Sequence, residues 1–169
     1  MNIVLIGYMA SGKSAIGKVL AKKLNLQFID LDVFIEENEG VTISELFQTK
    51  GEIYFRIKEG EYLKEILEKN TNTVISCGGG TPCYGNNLEI IKKYSISFYL
   101  KASINTIFER LKNETSERPL VATIGIENLK EYIAKHLFER NVFYEKSNYT
   151  ISVDHKTIET IEEEVVALL

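Results

Sequence analysis

The chain has 169 residues, of which 44% are hydrophobic, and a formal net charge of −4 at pH 7. This length suits one domain with a sizeable core, and interspersed charges with a negative sum argue against a broad nucleic-acid surface. No stretch approaches the roughly 18 apolar residues of a membrane span, and the N-terminus does not have the form of a signal sequence. Two cysteines, Cys77 and Cys83, are too few for a disulfide framework or a zinc site. We therefore expect one domain over residues 1–169 in the reducing cytoplasm, with neither nucleic acid nor a membrane as partner.

Short apolar runs alternate with longer amphipathic stretches along the chain. The runs predict strands at residues 2–6, 27–30, 73–77, 95–100 and 150–153. The stretches predict helices at residues 13–24, 32–39, 43–50, 52–69, 88–94, 104–111, 127–145 and 157–168. This alternation indicates an α/β fold whose parallel sheet is covered by helices on both faces. Such sheets bind ligands at the carboxyl ends of their strands, so functional motifs should follow the strands.

The first motif is a phosphate loop at residues 7–14, directly after the first strand. Its sequence, GYMASGKS, fits the pattern G-x-x-x-x-G-K-[ST]. Glycines let backbone N–H groups point at phosphate oxygens, and the N-terminus of the following helix adds its positive end. Lys13 is expected to neutralise the β- and γ-phosphates, and the Ser14 hydroxyl to bind Mg²⁺. A glycine-rich turn with an incidental lysine is the minor alternative. The motif predicts NTP binding and does not identify the acceptor.

Two carboxylates, Asp30 and Asp32, stand at the end of the second predicted strand. Residues i and i+2 of an extended segment point to one side, so both carboxylates can face the same site. One could hold Mg²⁺ through water while the other orients an acceptor hydroxyl. Alternatively, Asp32 only caps the helix that follows, which is a common role for Asp. Beside a phosphate loop, the functional interpretation is favoured.

Four arginines accompany 16 lysines: Arg56, Arg110, Arg118 and Arg140. A chain that uses lysine for general surface charge keeps arginine where a planar, two-pronged donor is needed, and carboxylate and phosphate are the anions that need it. The arginines therefore suggest that the acceptor is itself an anion. Ordinary alternatives are helix-surface ion pairs for Arg56 and Arg140 and a helix C-terminal cation for Arg110. Arg118 lies in a polar stretch, residues 113–125, which is either a lid that brings an arginine to the transferred phosphoryl group or a solvated loop.

Three glycines, Gly78, Gly79 and Gly80, follow the strand predicted at residues 73–77. Bare backbone allows a ligand to approach closely and exposes N–H donors. A glycine run alone is more typical of a flexible turn. Its position at the carboxyl end of a strand favours a ligand-binding loop.

These motifs, in this order, resemble the shikimate kinase family over essentially the whole chain. The matching pieces are residues 7–14, Asp30-Leu31-Asp32, Gly51-Glu52, Phe55-Arg56 with Glu59, Gly78 to Gly80, Arg118-Pro119-Leu120, and Arg140 with Tyr144. The resemblance implies a P-loop NTPase fold of the nucleoside monophosphate kinase type, a three-layer sandwich around a five-stranded parallel sheet of order 2-3-1-4-5. It also implies a monomer that transfers the γ-phosphate of ATP to the 3-hydroxyl of shikimate, with Mg²⁺, in aromatic amino acid biosynthesis.

The resemblance implies roles for individual residues on the shikimate side. Asp32 would hydrogen-bond the hydroxyls of shikimate, including the one that is phosphorylated, while Arg56 and Arg140 would bind its carboxylate. Glu59 would orient Arg56. The residues that would line the pocket through their backbones are Gly78, Gly79 and Gly80.

On the nucleotide side, the resemblance implies that the phosphate loop and the start of its helix bind ATP through Ala10, Ser11, Gly12, Lys13, Ser14 and Ala15. Arg110 would lie against the adenine, and Arg118 would reach the phosphates from a mobile lid. Ser14 and Asp30 would serve Mg²⁺, Asp30 through water. Lys13, Asp32 and Arg118 are thus the expected catalytic residues.

The chain departs from the family pattern at Ala10, where the family usually has Gly, and at Val121, where Leu is commoner. The backbone at Ala10 must therefore accommodate a Cβ, while the change at Val121 is expected to be neutral. We expect a low pKa for Asp32, which favours a positioning role over proton acceptance. Competing hypotheses are a gluconate or nucleoside monophosphate kinase of the same architecture, and a non-catalytic nucleotide-binding regulator.

Overall fold

The structure is a computed structural model and describes residues 1–113 and 123–169. Within these residues the chain forms five strands, β1 (Ile3–Ile6), β2 (Gln27–Asp30), β3 (Thr73–Ser76), β4 (Ile96–Lys101) and β5 (Tyr149–Ser152). They pair in parallel in the order β2-β3-β1-β4-β5. The predicted fold and strand order are confirmed.

The apolar sequence of β1 explains its central position. Its residues are Ile-Val-Leu-Ile, and all of them are completely buried. Because successive side chains of a strand point to opposite faces, helices must cover both faces of the sheet here. In β5, at one edge, Ile151 is buried whereas its neighbours in the strand are exposed. The result is three layers, with β1 in the middle of the core.

The helices fill the connections between strands. In chain order they are α1 (Lys13–Leu24), α2 (Leu31–Glu39), α3 (Ile43–Thr49), α4 (Gly51–Lys69), α5 (Asn87–Tyr94), α6 (Ile104–Asn113), α7 (Ile126–Tyr144) and α8 (Ile158–Ala167), with a 3₁₀ turn at Thr81–Cys83. Every predicted helix is present, and its ends differ by at most about two residues, the usual uncertainty of helix boundaries. In the described parts of the chain, none of these helices has both the length and the apolar character needed to cross a bilayer.

Two helix starts determine the chemistry of the strand ends. α1 follows Gly12, whose φ of 95° lies in the left-handed region that favours glycine. Because Gly12 has no side chain to cap the helix, the first N–H groups of α1 remain available to a ligand. α2 is capped by Asp30, whose carboxylate accepts hydrogen bonds from the N–H groups of Asp32 and Val33. Asp30 is therefore the capping residue, and the alternative of a capping role for Asp32 is wrong.

The helical start of α2 also corrects the predicted geometry of the two carboxylates. α2 begins at Leu31, immediately after β2, so Asp32 lies in the first helical turn. The argument from an extended i and i+2 pair therefore does not apply. The two groups nevertheless lie close together, because the Asp30 carboxylate accepts the hydrogen bond of the Asp32 N–H, and the charge of Asp30 acts on Asp32.

Candidate active site

The phosphate loop folds around the side chain of Lys13. Its Nζ atom donates hydrogen bonds to the carbonyl oxygens of Gly7 and Tyr8, both at 2.9 Å. Ala10 has a φ of 61°, a left-handed conformation that costs a residue with a Cβ about 1 kcal/mol. Arg110 Nη1 donates to the Ala10 carbonyl at 2.8 Å. This hydrogen bond connects α6 to the phosphate loop at Ala10, the residue with the left-handed conformation.

Hard oxygen atoms meet at the start of α1. Ser14 Oγ donates to Asp30 Oδ2 at 2.5 Å and lies 3.2 Å from Ser76 Oγ. Hydroxyl and carboxylate oxygens are ligands that Mg²⁺ accepts, and in kinases this ion takes few protein ligands because phosphates and water complete its shell. In residues 1–113 and 123–169, no cluster of three or more His, Cys, Asp or Glu forms a closed metal site. The oxygen set therefore fits a metal that arrives with a nucleotide.

Asp32 lies between this oxygen cluster and the glycine residues that follow β3. Burial raises its pKa to about 6, and the negative charges of Asp30 and Glu59 act in the same direction, while Lys13 opposes them. The prediction of a low pKa is therefore wrong. A carboxylate with this pKa is ionised at neutral pH and is still basic enough to accept a proton.

Arg56, on α4, is held by a buried carboxylate. Its Nη1 donates to Glu59 Oε2 at 2.9 Å, and Glu59 is only 1% exposed. The other oxygen of Glu59 accepts a 2.6 Å hydrogen bond from Thr81 Oγ1. Glu52 lies further away, with Oε1 3.6 Å from Arg56 Nε. The helix-surface ion pair considered as an alternative for Arg56 is therefore present, but the burial of Glu59 makes it more than a surface pair.

Arg140, on α7, has aromatic neighbours. Its guanidinium carbon lies 5.7 Å from the ring centre of Tyr8, and the guanidinium group interacts electrostatically with Tyr144. The Tyr144 hydroxyl also donates to the Gly79 carbonyl at 2.5 Å. Tyr8 Oη and His136 Nδ1 are 3.1 Å apart, so the phosphate loop contacts the helix that carries Arg140.

The three glycines, here called the glycine loop (Gly78, Gly79 and Gly80), lie where a Cβ would be crowded by neighbouring side chains. A Cβ on Gly80 would lie 2.7 Å from Arg56 Nη2, and one on Gly78 would lie 3.0 Å from Asp32 Oδ1. A Cβ on Gly79 would lie 3.1 Å from Arg140 Nη1 and 3.5 Å from the backbone nitrogen of Met9. The glycine loop thus brings both arginines, Asp32 and the phosphate loop together.

A cleft of about 490 Å³ runs along the carboxyl edge of the sheet. Eleven of the site residues predicted from the sequence line this cleft: Ala10, Ser11, Gly12, Lys13, Ser14, Ala15, Asp30, Asp32, Gly78, Gly79 and Arg110. Arg56, Gly80 and Arg140 adjoin it through the glycine loop. This volume is in the range of small-molecule sites.

The sequence model of one family, described as shikimate kinase, matches residues 9–169. The chain belongs to the shikimate kinase family. A shikimate kinase of Flavobacterium psychrophilum is 47% identical over 169 residues, which covers 99% of this chain and 98% of that protein.

Solved structures of shikimate kinases also resemble the chain. The crystal structure of the enzyme from Bacteroides thetaiotaomicron has a TM-score of 0.93 and 35% identity, and the match covers 99% of this chain and 97% of that one. The enzyme from Acinetobacter baumannii, in complex with shikimate, has a TM-score of 0.89 and 30% identity, with coverage of 99% and 91%. Family membership and fold therefore agree, and the hypotheses of another kinase family or a non-catalytic regulator are not needed.

Three predicted features fall in residues 114–122, outside the described residues. They are Arg118, the neutral change at Val121 and most of the lid predicted for residues 113–125. The assignment of Arg118 as a catalytic residue stays a prediction.

The motif search missed several residues around the site. Lys156 and Ile158, after β5, line the cleft, and the rule that ligands bind at carboxyl strand ends could have identified this segment. Tyr84 covers the guanidinium of Arg56, with 4.1 Å between the ring centre and Arg56 Cζ. No spacing pattern singles out Tyr84 or His136, because their contacts depend on the tertiary fold.

Proposed function

We propose that this chain transfers the γ-phosphate of ATP to the 3-hydroxyl of shikimate in the cleft beside the glycine loop, giving shikimate 3-phosphate and ADP. The observation that carries the proposal is the pair of guanidinium groups, Arg56 and Arg140, that adjoin the glycine loop next to the phosphate loop. Two guanidinium groups are suited to an acceptor that carries a carboxylate. Family membership supports shikimate as that acid.

ATP would bind with its phosphates on the phosphate loop and the N-terminus of α1. Backbone N–H groups, including those of Ser11, Gly12 and Ala15, would face the phosphate oxygens. Lys13 would exchange one of its carbonyl contacts for a phosphate oxygen, and Arg110, already bonded to the loop, would lie beside the base. Arg118 would add positive charge to the transferred group.

Ser14 and Asp30 would hold Mg²⁺, Asp30 through water. When bound, the ion neutralises charge on the phosphates. The short Ser14–Asp30 hydrogen bond already brings the two oxygen groups together without it. Asp30 is also fixed by its capping bonds to α2, so its carboxylate would hold the bridging water in a defined place.

Shikimate would bind with its carboxylate between Arg56 and Arg140 and its hydroxyls toward Asp32. The 3-hydroxyl oxygen would bond to the γ-phosphorus as the bond to the β–γ bridging oxygen breaks and ADP leaves. Asp32 would orient that hydroxyl and receive its proton, which a pKa of about 6 permits at neutral pH. Most of the rate enhancement in such transfers comes from positioning and charge neutralisation.

A coupled ADP-release assay that offers shikimate, gluconate and nucleoside monophosphates side by side tests the substrate assignment. Of these acceptors, only shikimate should lead to ADP release from ATP. In Arg56→Lys, the KM for shikimate should rise strongly while the KM for ATP and the fold persist, because Lys cannot present two parallel N–H donors.

The reciprocal control is Arg110→Lys, which should raise the KM for ATP and leave the KM for shikimate unchanged. If shikimate elicits no ADP, the assignment is wrong. If Arg56→Lys leaves the KM for shikimate unchanged, the carboxylate-binding role of Arg56 is wrong.

The organisation of the protein stays a set of predictions. We expect a single domain over residues 1–169, a monomer and a cytoplasmic location. Size-exclusion chromatography with light scattering would test the monomer, and a dimer mass would contradict it.

A further inference from the structure

Arg56 is enclosed on its outer side by residues that the proposed mechanism does not use. The ring centre of Tyr84 lies 4.1 Å from Arg56 Cζ. The hydroxyl of Tyr84 donates to Glu52 Oε1 at 3.2 Å, and the same oxygen lies 3.6 Å from Arg56 Nε. Tyr84, Glu52 and Arg56 therefore form a closed triangle of contacts around the guanidinium group.

The position of Tyr84 is fixed by the turn that follows β3. The Asn87 side chain donates to the Thr81 carbonyl at 2.9 Å, and the Asn87 N–H bonds to the Tyr84 carbonyl at 3.3 Å. Gly85 has a φ of 54°, in the left-handed region, so the chain can turn sharply after Tyr84. Although Tyr84 is 37% exposed, its backbone is held in a defined place.

The surface beside Tyr84 offers Arg56 an alternative position. A groove of about 650 Å³ lies between α4 and the start of α5, and its lining includes Arg56, Ile53, Ile57 and Tyr84. Arginine has a long, flexible side chain that loses rotamer entropy when it is ordered. Without the ring of Tyr84, the guanidinium could rotate toward this groove and away from the glycine loop.

Glu59 alone leaves part of the guanidinium unsupported. It accepts a hydrogen bond from Nη1, but among the described residues none accepts one from the buried Nε of Arg56. At 3.6 Å, Glu52 is too distant for a hydrogen bond to Nε and contributes through charge. The orientation of the guanidinium plane therefore depends on the rings beside it, of which Tyr84, at 4.1 Å from Arg56 Cζ, lies nearer than Phe55, at 5.1 Å.

We propose that Tyr84, with Glu52, is a positioning residue for the acceptor carboxylate, because its ring holds the Arg56 guanidinium against the glycine loop. The inference rests on the proposed role of Arg56 and adds a specific function for its neighbour. Preorganised donors bind an anion more tightly because less entropy is lost on binding. Tyr84 does not touch the substrate and acts through Arg56.

The test compares Tyr84→Ala and Tyr84→Phe by steady-state kinetics with both substrates. Tyr84→Ala should raise the KM for shikimate by about three- to tenfold, the range expected for a partly exposed cation–π contact. The KM for ATP and kcat should change little. Tyr84→Phe keeps the ring and should rescue most of the effect, leaving a change of about twofold or less.

Tyr94→Ala is the matched control. Tyr94, the last residue of α5, also donates its hydroxyl to a glutamate of α4, Glu68 Oε1 at 3.0 Å, but Glu68 lies at the opposite end of α4 from Arg56. Because Tyr94 packs against the core and Tyr84 is exposed, the control should lower the thermal unfolding midpoint at least as much as Tyr84→Ala and leave the KM for shikimate unchanged.

The outcomes separate the inference from the proposed function. If Tyr84→Ala leaves the KM for shikimate unchanged while Arg56→Lys raises it, the positioning role is wrong and the proposed function stands. If both Tyr84→Ala and Tyr94→Ala raise the two KM values together, the effect is structural and the inference is also wrong. If Arg56→Lys has no effect on shikimate, the proposed role of Arg56 fails first.

Discussion

On one side of the glycine loop Arg56 forms ion pairs with two glutamates and is covered by the ring of Tyr84, whereas on the other side Arg140 lies among rings and forms no such pair in the described residues. The carboxylate wall consists of Asp32, Glu52, Arg56 and Glu59. The aromatic wall consists of Tyr8, His136, Arg140 and Tyr144. Glu59 forms a buried ion pair with Arg56, whereas no carboxylate of the described residues forms a salt bridge with Arg140.

The difference assigns different tasks to two similar groups. The charge of Arg56 is already balanced, so this residue contributes mainly a fixed direction for its N–H donors. The charge of Arg140 is partly buried against tyrosines, and an anionic ligand would relieve the cost of burying it. We infer that Arg140 supplies most of the net attraction for a carboxylate.

The largest effect is expected from Arg140→Met. Loss of the uncompensated charge should lower kcat/KM for shikimate by about 100-fold or more, equivalent to about 3 kcal/mol. The free energy of unfolding should change little, since no described carboxylate is left unpaired. ADP-release kinetics and urea unfolding measure the two quantities.

Arg56→Met provides the contrast for Arg140→Met. It should impair activity and also destabilise the fold, by about 3 kcal/mol, because Glu59 remains buried without its partner. Equal stability losses for the two variants would contradict the division of tasks between the walls.

Glu59→Gln directly tests the ion pair between Glu59 and Arg56 on the carboxylate wall. The change removes a buried charge but keeps the shape, and it should lower the free energy of unfolding by about 1–3 kcal/mol because the ion pair with Arg56 is lost. It should also lower the pKa of Asp32, since Glu59 is one of the charges that raise it. The acid limb of the activity profile would then move to lower pH. An unmoved acid limb would argue that Asp32 and Glu59 act independently.

Asp32→Asn tests the cost of negative charge on the carboxylate wall. Because the pKa of Asp32 rises from 3.8 to about 6 on folding, its contribution to stability is complete below pH 3.8 and is lost as the pH rises through 6. At pH 7.5 the variant should therefore be more stable than the unchanged protein by about 1–3 kcal/mol, and the gap should shrink toward pH 5. Urea unfolding at both pH values measures it. A gap that does not vary with pH would contradict the raised pKa.

The smallest effect is expected from Tyr8→Phe on the aromatic wall. It removes the contact between the Tyr8 hydroxyl and His136 and should lower the free energy of unfolding by about 0.5–1.5 kcal/mol at pH 7. Burial lowers the pKa of His136, and Arg140 lowers it further, so the stability from neutral His136 is present above pH 6.5 and is lost as the pH falls. Stability profiles from pH 5 to 8 measure this dependence, and His136→Gln should flatten the fall on the acid side.

The sequence predicted the elements and the strand-end motifs because both depend on local patterns. The apolar run of β1 and the phosphate loop after it required only neighbouring residues. The aromatic wall could not be found this way, since Tyr8 and His136 are 128 positions apart. The pKa of Asp32 was mispredicted because burial, its main cause, is a property of the folded chain.

Bare backbone at the floor of the pocket limits how this protein can change under selection by an inhibitor. A side chain at Gly80 would overlap the guanidinium group of Arg56, and one at Gly79 would press against that of Arg140. The proposed reaction needs both groups. A compound that contacts only this floor would therefore leave few single substitutions that weaken its binding and preserve activity. Resistance would instead have to arise where side chains can vary, for example at the exposed Tyr84.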